Sequence, residues 1–63
     1  MLKNHSHDLV HQLSEISDSV WRIEKHYLEE AKDCESCAAL WKQLHHDYEK
    51  HIALLKEEIA KHL

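Results

Sequence analysis

Histidine is the residue type in this chain with the most chemical potential, because it makes up eight of the 63 residues. Neutral imidazole and carboxylate are ligands that zinc, iron and manganese accept in proteins. Twelve acidic residues accompany the histidines, so both kinds of ligand are abundant. The histidines are dispersed along the chain, which excludes a purification tag. Which of them can meet a carboxylate depends on the elements that carry them.

The sharpest candidate site is the pair Glu24 and His45. Each interrupts an apolar heptad-like stripe, and folding the chain back near Cys34 puts both in one layer. A buried carboxylate is unfavourable unless it is paired or ligates a cation. In a two-fold dimer this layer supplies two Glu and two His, a suitable inner shell for zinc, iron or manganese. The alternative is a salt bridge that fixes the register of the helices.

The residues that follow His45 add further ligand types. Asp47 and His51 are four residues apart and share one helical face, as do His45 and Glu49. A centre with two metal ions can recruit His51, although a single ion cannot easily reach both histidines. The sequence therefore predicts the metal ligands Glu24, His45, Asp47 and His51. A solvated polar face is the alternative.

A second set of ligand types lies at the open end of the predicted hairpin. His7 and His11 are four residues apart, and so are Glu58 and His62. The same fold places His11 opposite Glu58 and His7 opposite His62. We regard the four as secondary metal candidates, with incidental ion binding at fraying termini as the alternative.

Cys34 and Cys37 form a CxxC motif at the predicted turn. Residue 38 is Ala, so the histidine of a c-type haem site is missing, and a thioredoxin-like role expects a βαβ context. A helix N-terminus lowers a thiol pKa, so a redox-sensitive disulfide is one interpretation. A four-thiolate zinc site between two copies is another. We place structural or incidental thiols first, metal binding second and redox catalysis last.

Composition favours helices as the elements that position these residues. The chain has no Gly and no Pro, which β-turns and long loops normally need, and it is rich in strong helix formers. We predict a first helix over about 6–32, a turn over about 33–36 and a second helix over about 36–62. Ser6 is the expected cap of the first helix, and Asp33 or Ser36 that of the second.

Both predicted helices carry a seam of residues at alternating spacings of three and four. The first seam is Val10, Leu13, Ser17, Val20, Glu24, Tyr27 and Ala31, widened by Leu9, Ile16 and Ile23. The second is Ala38, Trp41, His45, Tyr48, Ile52, Leu55 and Ile59, widened by Leu44. Folding near Cys34 pairs residues whose numbers sum to about 69, such as Tyr27 and Trp41. Because the heptad pattern also continues through Cys34, one long coiled-coil helix is the alternative.

Chain length predicts that this hairpin does not stand alone. A core of 63 residues contributes little stability, and two helices leave one side of the stripe in water. We therefore predict an all-α antiparallel hairpin that forms a homo-oligomer, most simply a dimeric four-helix bundle. A structural or protein-interaction module without metal is the alternative function.

Charge and hydropathy exclude several partners. The net charge of −4 argues against nucleic acid, whose binders present clustered Lys and Arg. No stretch approaches the ~20 apolar residues of a membrane span. The N-terminus lacks the apolar run of a signal peptide, so we expect a cytoplasmic protein.

With its helices placed, the pattern resembles half of a ferritin-like or rubrerythrin-like bundle. Glu24-Lys25-His26-Tyr27 is similar to the ligand Glu followed by an aromatic residue in those families, and residues 47–55 are similar to their second motif. Encapsulated ferritins are the closest architectural parallel, because each chain supplies two helices and the di-iron site forms between subunits. The resemblance implies iron handling with Glu24 and His51 as ligands.

One position departs from the family pattern. The families carry Glu-x-x-His, whereas the residue three before His51 is Tyr48. The resemblance therefore requires Asp47 or Glu49 to replace the missing carboxylate. No catalytic residue is predicted, and whether the protein is an enzyme stays open.

Overall fold

The computed structural model describes residues 4–62; residues 1–3 and 63, also assigned to the predicted hairpin, lie outside the described residues. Over that range the chain is helical apart from a turn at 31–34 and the last two residues, 61–62, with no strand, which confirms the all-α prediction. The elements in order are α1 (Asn4–Arg22), a π-helical segment (Ile23–Tyr27), α2 (Leu28–Glu30) and α3 (Glu35–Ala60). Within these residues, no helix is long and apolar enough to cross a membrane.

The first arm, residues 4–30, lies antiparallel to α3. Near the turn, the rings of Tyr27 and Trp41 have centroids 4.7 Å apart. At the open end, the rings of His5 and His62 have centroids 4.8 Å apart. Contacts at both ends require the chain to fold back on itself, so the described chain is a hairpin and not one continuous helix.

Residues 31–34 form the turn, and Cys34 caps α3. Cys34 is extended (φ −131°, ψ 100°), and its sulfur accepts the backbone N–H of Cys37 at 3.4 Å. This is the position of an N-cap, whose side chain satisfies a free N–H of the first turn. The predicted caps are therefore wrong: Asp33 lies in the turn, and Ser36 is already helical.

The predicted cap of the first helix is also wrong, because α1 begins at Asn4 and Ser6 lies inside it. The seam of the first arm differs too. Val10 is 46% exposed and Ser17 is exposed, whereas Leu9 and Ile16 are half-buried. Burying two large apolar side chains in place of a serine and a smaller valine gains more free energy, which explains the rotation of the helix. The seam predicted for α3 is half-buried throughout.

The π-helical segment marks the tightest part of the hairpin. Ile23, at its start, is 2% exposed, and Leu28 closes the segment by donating its N–H to the Ile23 carbonyl. An i→i+5 turn holds about one residue more than an α-helical turn. From the last residue of this segment onward, the covered side of the arm consists of Tyr27, Leu28 and Ala31.

The hairpin is a single layer of helices. Its overall dimensions are 47 × 17 × 12 Å, and the shortest matches the ~10–12 Å diameter of one helix. Its radius of gyration is 14.4 Å, against about 10–11 Å for a compact domain of this length. Among the described residues, only Ile23 and Ala31 are buried. Stable domains stack at least two layers, so each face of this hairpin is left without a covering layer.

We expect Ile23→Ala to lower the free energy of unfolding by about 2–4 kcal/mol, because a buried Ile loses both its apolar contacts and its packing volume. The matched control is Val10→Ala on the same arm, which should change it by less than about 0.5 kcal/mol because Val10 is exposed. Urea unfolding followed by circular dichroism measures both. Equal losses for the two variants would contradict the burial of Ile23 between the two arms of the hairpin.

Candidate functional site at Glu24, His45 and Glu49

The Glu24–His45 contact predicted from the register is present. Glu24 is carried by the π-helical segment and His45 by α3, and Glu24 Oε1 lies 2.7 Å from His45 Nε2. On the other side of the ring, Glu49 Oε1 lies 3.1 Å from His45 Nδ1. The His45 side chain is 23% exposed and that of Glu24 is 48% exposed. One imidazole therefore lies between two carboxylates, at the edge of the contact between the two arms.

This arrangement favours the protonated form of His45. The hydrogen bond to Glu24 raises the pKa of His45 above its ordinary value of 6.5; desolvation opposes that rise, and the charge of Glu49 adds to it. An imidazolium donates from both ring nitrogens, so it satisfies both carboxylates at once. A protonated ring has no free lone pair, and a metal ion must therefore displace a proton to bind there.

Two other predicted ligands lie outside this cluster. Asp47 accepts a hydrogen bond from Gln43 Nε2 at 3.0 Å. His51 lines an open groove together with Ile16 and Leu55. The structure therefore brings Glu24 and His45 together but leaves Asp47 and His51 on other parts of the α3 surface.

The atoms of the cluster that could ligate a metal ion do not converge on one point. Glu24 and Glu49 approach different nitrogens of the His45 ring, so the three side chains form a line. Within residues 4–62, no group of three or more His, Cys, Asp or Glu side chains is arranged to hold a metal ion. In the same range, no buried side-chain nitrogen or oxygen lacks a hydrogen-bond partner. Metal binding at these residues stays a prediction.

The open end places its histidines differently from the prediction. His62 Nε2 lies 3.1 Å from Glu58 Oε2, and Lys61 Nζ lies 3.4 Å from Glu58 Oε1. The hydrogen bond from His62, followed by that from Lys61, lowers the pKa of Glu58. The residue against His62 is His5, so the predicted pairing of His7 with His62 is wrong. The residue numbers of the pair Glu24–His45 sum to 69, whereas those of the pair His5–His62 sum to 67. The pairing of the two arms therefore shifts by two residues between the cluster and the open end, which a constant register does not predict.

His7 and His11 make ion-pair contacts along their own helix. His7 Nδ1 lies 3.6 Å from Asp8 Oδ1, and His11 Nε2 lies 3.5 Å from Glu15 Oε1. Their two rings are neighbours, with centroids 6.0 Å apart. Both side chains are more than 60% exposed, so these contacts contribute little to stability.

The two thiols at the turn are free and chemically unequal. Cys34 Sγ accepts the N–H of Cys37 at 3.4 Å and lies 3.5 Å from Ser36 Oγ. Hydrogen bonds from the Cys37 thiol and from Ser36 lower the pKa of Cys34 to about 7, from 9.0. The same contact with Cys34 raises the pKa of Cys37. The sequence predicted where the two thiols lie. The difference between their pKa values follows from the cap geometry, which the sequence does not show.

Comparison with known proteins adds no relative. No protein-family model, no characterised protein and no solved structure matches the chain. The ferritin-like resemblance therefore stays a prediction. Fold and site together define a single-layer helical hairpin with a histidine–carboxylate cluster between its two arms and a dithiol at its turn.

The raised pKa of His45 predicts how stability depends on pH. Since folded His45 holds its proton more tightly than unfolded His45, its contribution is fully present below about pH 6.5 and is lost as pH rises through the raised value. Glu24→Gln should flatten this fall, because it removes the main cause of the shift.

The measurement is urea unfolding between about pH 6 and about pH 8.5, with a chelator present. All other histidines and both thiols are common to the two proteins, so their difference isolates the Glu24–His45 contact. Glu29→Gln, which removes a carboxylate that pairs with Lys32 and not with His45, is the control and should keep the wild-type slope. Identical slopes for wild type and Glu24→Gln would contradict the pKa assignment.

Proposed function

We propose that this protein is a helical assembly module that pairs with a second copy of itself through one face of the hairpin. The observation that carries this proposal is its surface area. The chain exposes 5058 Å², whereas a compact monomer of 7.5 kDa exposes about 4,200 Å². The excess of roughly 800 Å² equals what each partner buries in a standard protein–protein interface.

An apolar groove between α1 and α3 is the part of the surface suited to this role. It has a volume of about 500 Å³ and is lined by Gln12, Ile16, Tyr48, His51, Leu54 and Leu55. Leu54 is 62% exposed, the largest exposure among the large apolar side chains left open on the described hairpin. Exposed apolar patches of this kind mark interaction sites.

A second copy is the occupant that the geometry supports. Because the hairpin is one helix thick, a second hairpin stacked on the groove supplies the missing layer of a four-helix bundle. A two-fold axis brings the same patch from both copies together, so the apolar lining of one groove faces the apolar lining of the other. No second partner of complementary charge is then required.

Leu54 and His45 lie on opposite sides of α3, because they are nine residues apart, about two and a half helical turns. None of Glu24, His45 and Glu49 lines the groove, so a groove-to-groove dimer leaves this cluster within each hairpin. Its role in this assembly is to fix the register of each hairpin, because a shift of one arm along the other separates Glu24 from His45.

Leu54→Glu tests the interface. An added carboxylate in the groove should convert the dimer to a monomer at micromolar concentration in sedimentation equilibrium, because burying an unpaired charge is strongly unfavourable. The hairpin should stay helical, since Leu54 is already mostly exposed. The matched control is Val10→Glu, an apolar-to-Glu change at an exposed residue outside the groove, which should leave the dimer intact.

Two results would overturn the assembly proposal. The first is a wild-type protein that sediments as a stable, helical monomer at micromolar concentration. The second is an equal weakening of the dimer by Leu54→Glu and Val10→Glu, which would remove the groove from the interface.

A second candidate function, metal binding, is favoured by the short contacts of His45. Glu24 and Glu49 each lie within hydrogen-bond distance of the His45 ring, and imidazole and carboxylate are the ligand types of zinc, iron and manganese sites. With the groove as the interface, such a site lies within each hairpin and completes its shell with water. Iron handling of the ferritin-like kind is the specific form that the sequence resemblance adds to this candidate.

The sign of the pH dependence separates metal binding from a plain ion pair. A metal ion binds neutral His45, so added Zn²⁺ should raise the melting temperature more at about pH 8 than at about pH 6. With free metal ~100 times its dissociation constant, the added stability is roughly 2.7 kcal/mol. Glu24→Ala should abolish the effect, and His26→Ala, a change at an exposed histidine outside both candidate sites, should not. If Zn²⁺, Fe²⁺ and Mn²⁺ leave the melting temperature unchanged at both pH values, the cluster is an ion pair only.

A further inference from the structure

The turn holds two nucleophilic side chains that neither the assembly nor the His45 cluster uses. Cys34 and Cys37 are separated by one turn of chain at the start of the 26-residue helix α3. Cys34 is half-buried and Cys37 is exposed. Their contact is direct, because the Cys37 backbone N–H donates to the Cys34 sulfur. The two sulfur atoms therefore belong to one local unit whose geometry is set by the cap.

This contact gives the two thiols different roles. The pKa of Cys34 is about 7, so roughly half of it is thiolate at neutral pH, whereas the pKa of Cys37 is raised. Only thiolates attack disulfides, and the best attacking thiol has a pKa close to the ambient pH. Cys34 thus fits the attacking position, and Cys37 fits the position of a thiol that reacts second.

A groove beside the pair gives a substrate room to bind. It has a volume of about 320 Å³ and is lined by Tyr27, Glu30, Ala31, Cys34, Cys37 and Trp41. The rings of Tyr27 and Trp41 are tilted against each other and form an apolar wall next to the sulfur atoms. This volume is at the lower end of the range of small-molecule sites, which suits a small ligand and not a folded domain.

We propose that Cys34 and Cys37 form a redox-active dithiol that reduces low-molecular-weight disulfides bound in the groove beside Tyr27 and Trp41. The Cys34 thiolate attacks one sulfur of the substrate, which forms a mixed disulfide and releases the first thiol. Cys37 then loses its proton and attacks the Cys34 sulfur, which releases the second thiol and leaves a Cys34–Cys37 disulfide. Two electrons pass from the dithiol to the substrate, and a cellular thiol reductant restores the dithiol.

Dipyridyl disulfide tests the proposal directly, because each cleavage step releases a coloured thiopyridone. One equivalent of the probe should release two thiopyridones from the reduced wild-type protein. Cys37→Ser should release only one and keep a pyridyl adduct on Cys34 in the mass spectrum. Cys34→Ser keeps a good N-cap, so it should stay folded.

The rates give a second readout. At about pH 7, Cys34 holds roughly 50 times more thiolate than a thiol of pKa 9, and its lower basicity reduces its nucleophilicity by roughly eightfold. The wild-type protein should therefore react at least about fivefold faster than Cys34→Ser. The wild-type rate should be half-maximal near pH 7, and Ser36→Ala should move that midpoint to higher pH, because the Ser36 hydrogen bond helps to lower the pKa of Cys34.

Several results would overturn the proposal. Equal rates for Cys34→Ser and Cys37→Ser would show that the thiols are not differentiated. Release of one thiopyridone from the wild-type protein, with a stable adduct, would show that Cys37 does not resolve it. Purified protein that holds stoichiometric zinc and unreactive thiols would assign the pair to a metal site between copies. Each of these outcomes is independent of whether the groove at Leu54 forms a dimer.

Discussion

Two helices packed side by side can bury only the line along which they touch, and this limit governs the rest of the molecule. The line in this hairpin passes through Ile23 and Ala31, the two buried residues of the described chain. The other large apolar side chains of residues 4–62 are half-buried or exposed. Stability then depends on how well a short line is packed and on what covers the two faces. The size of the exposed surface follows directly from this limit.

In a hairpin of only two helices, polar contacts contribute much of what selects one register of the helices over the others. Apolar seams of similar residues can slide by a turn with little penalty, whereas a carboxylate and an imidazole 2.7 Å apart match at one alignment only. Glu49 belongs to the same helix as His45 and contacts the second ring nitrogen, so it orients the ring toward Glu24 at this alignment. The partly exposed position of the cluster keeps its desolvation small, so the contact selects the register without the large penalty of a fully buried charge.

The sequence predicted this register well near the turn and less well elsewhere. Glu24 and His45 were recognisable because each interrupts an apolar stripe, and Tyr27 and Trp41 follow from the same fold-back. The rotation that exposes Val10 was not predictable from spacing alone, because Leu9 and Val10 both fit the pattern. The difference between the two thiols was also inaccessible, since it arises from which atom caps α3. Periodicity reports which side of a helix is apolar, and atomic contacts depend on angles that it does not encode.

The π-helical segment has a consequence for how the hairpin tolerates changes in chain length. Such a segment is equivalent to an α-helix with one inserted residue, which the wider turn absorbs locally, so that the side chains after it keep their direction. Removing one residue between Ile23 and Tyr27 would therefore restore an ordinary helix without rotating the turn and its thiols relative to α1. In the regular turns of α1 or α3, the same deletion would rotate every later side chain by about 100°. The loss of one residue should therefore disturb the hairpin less in this segment than in the regular turns of either arm.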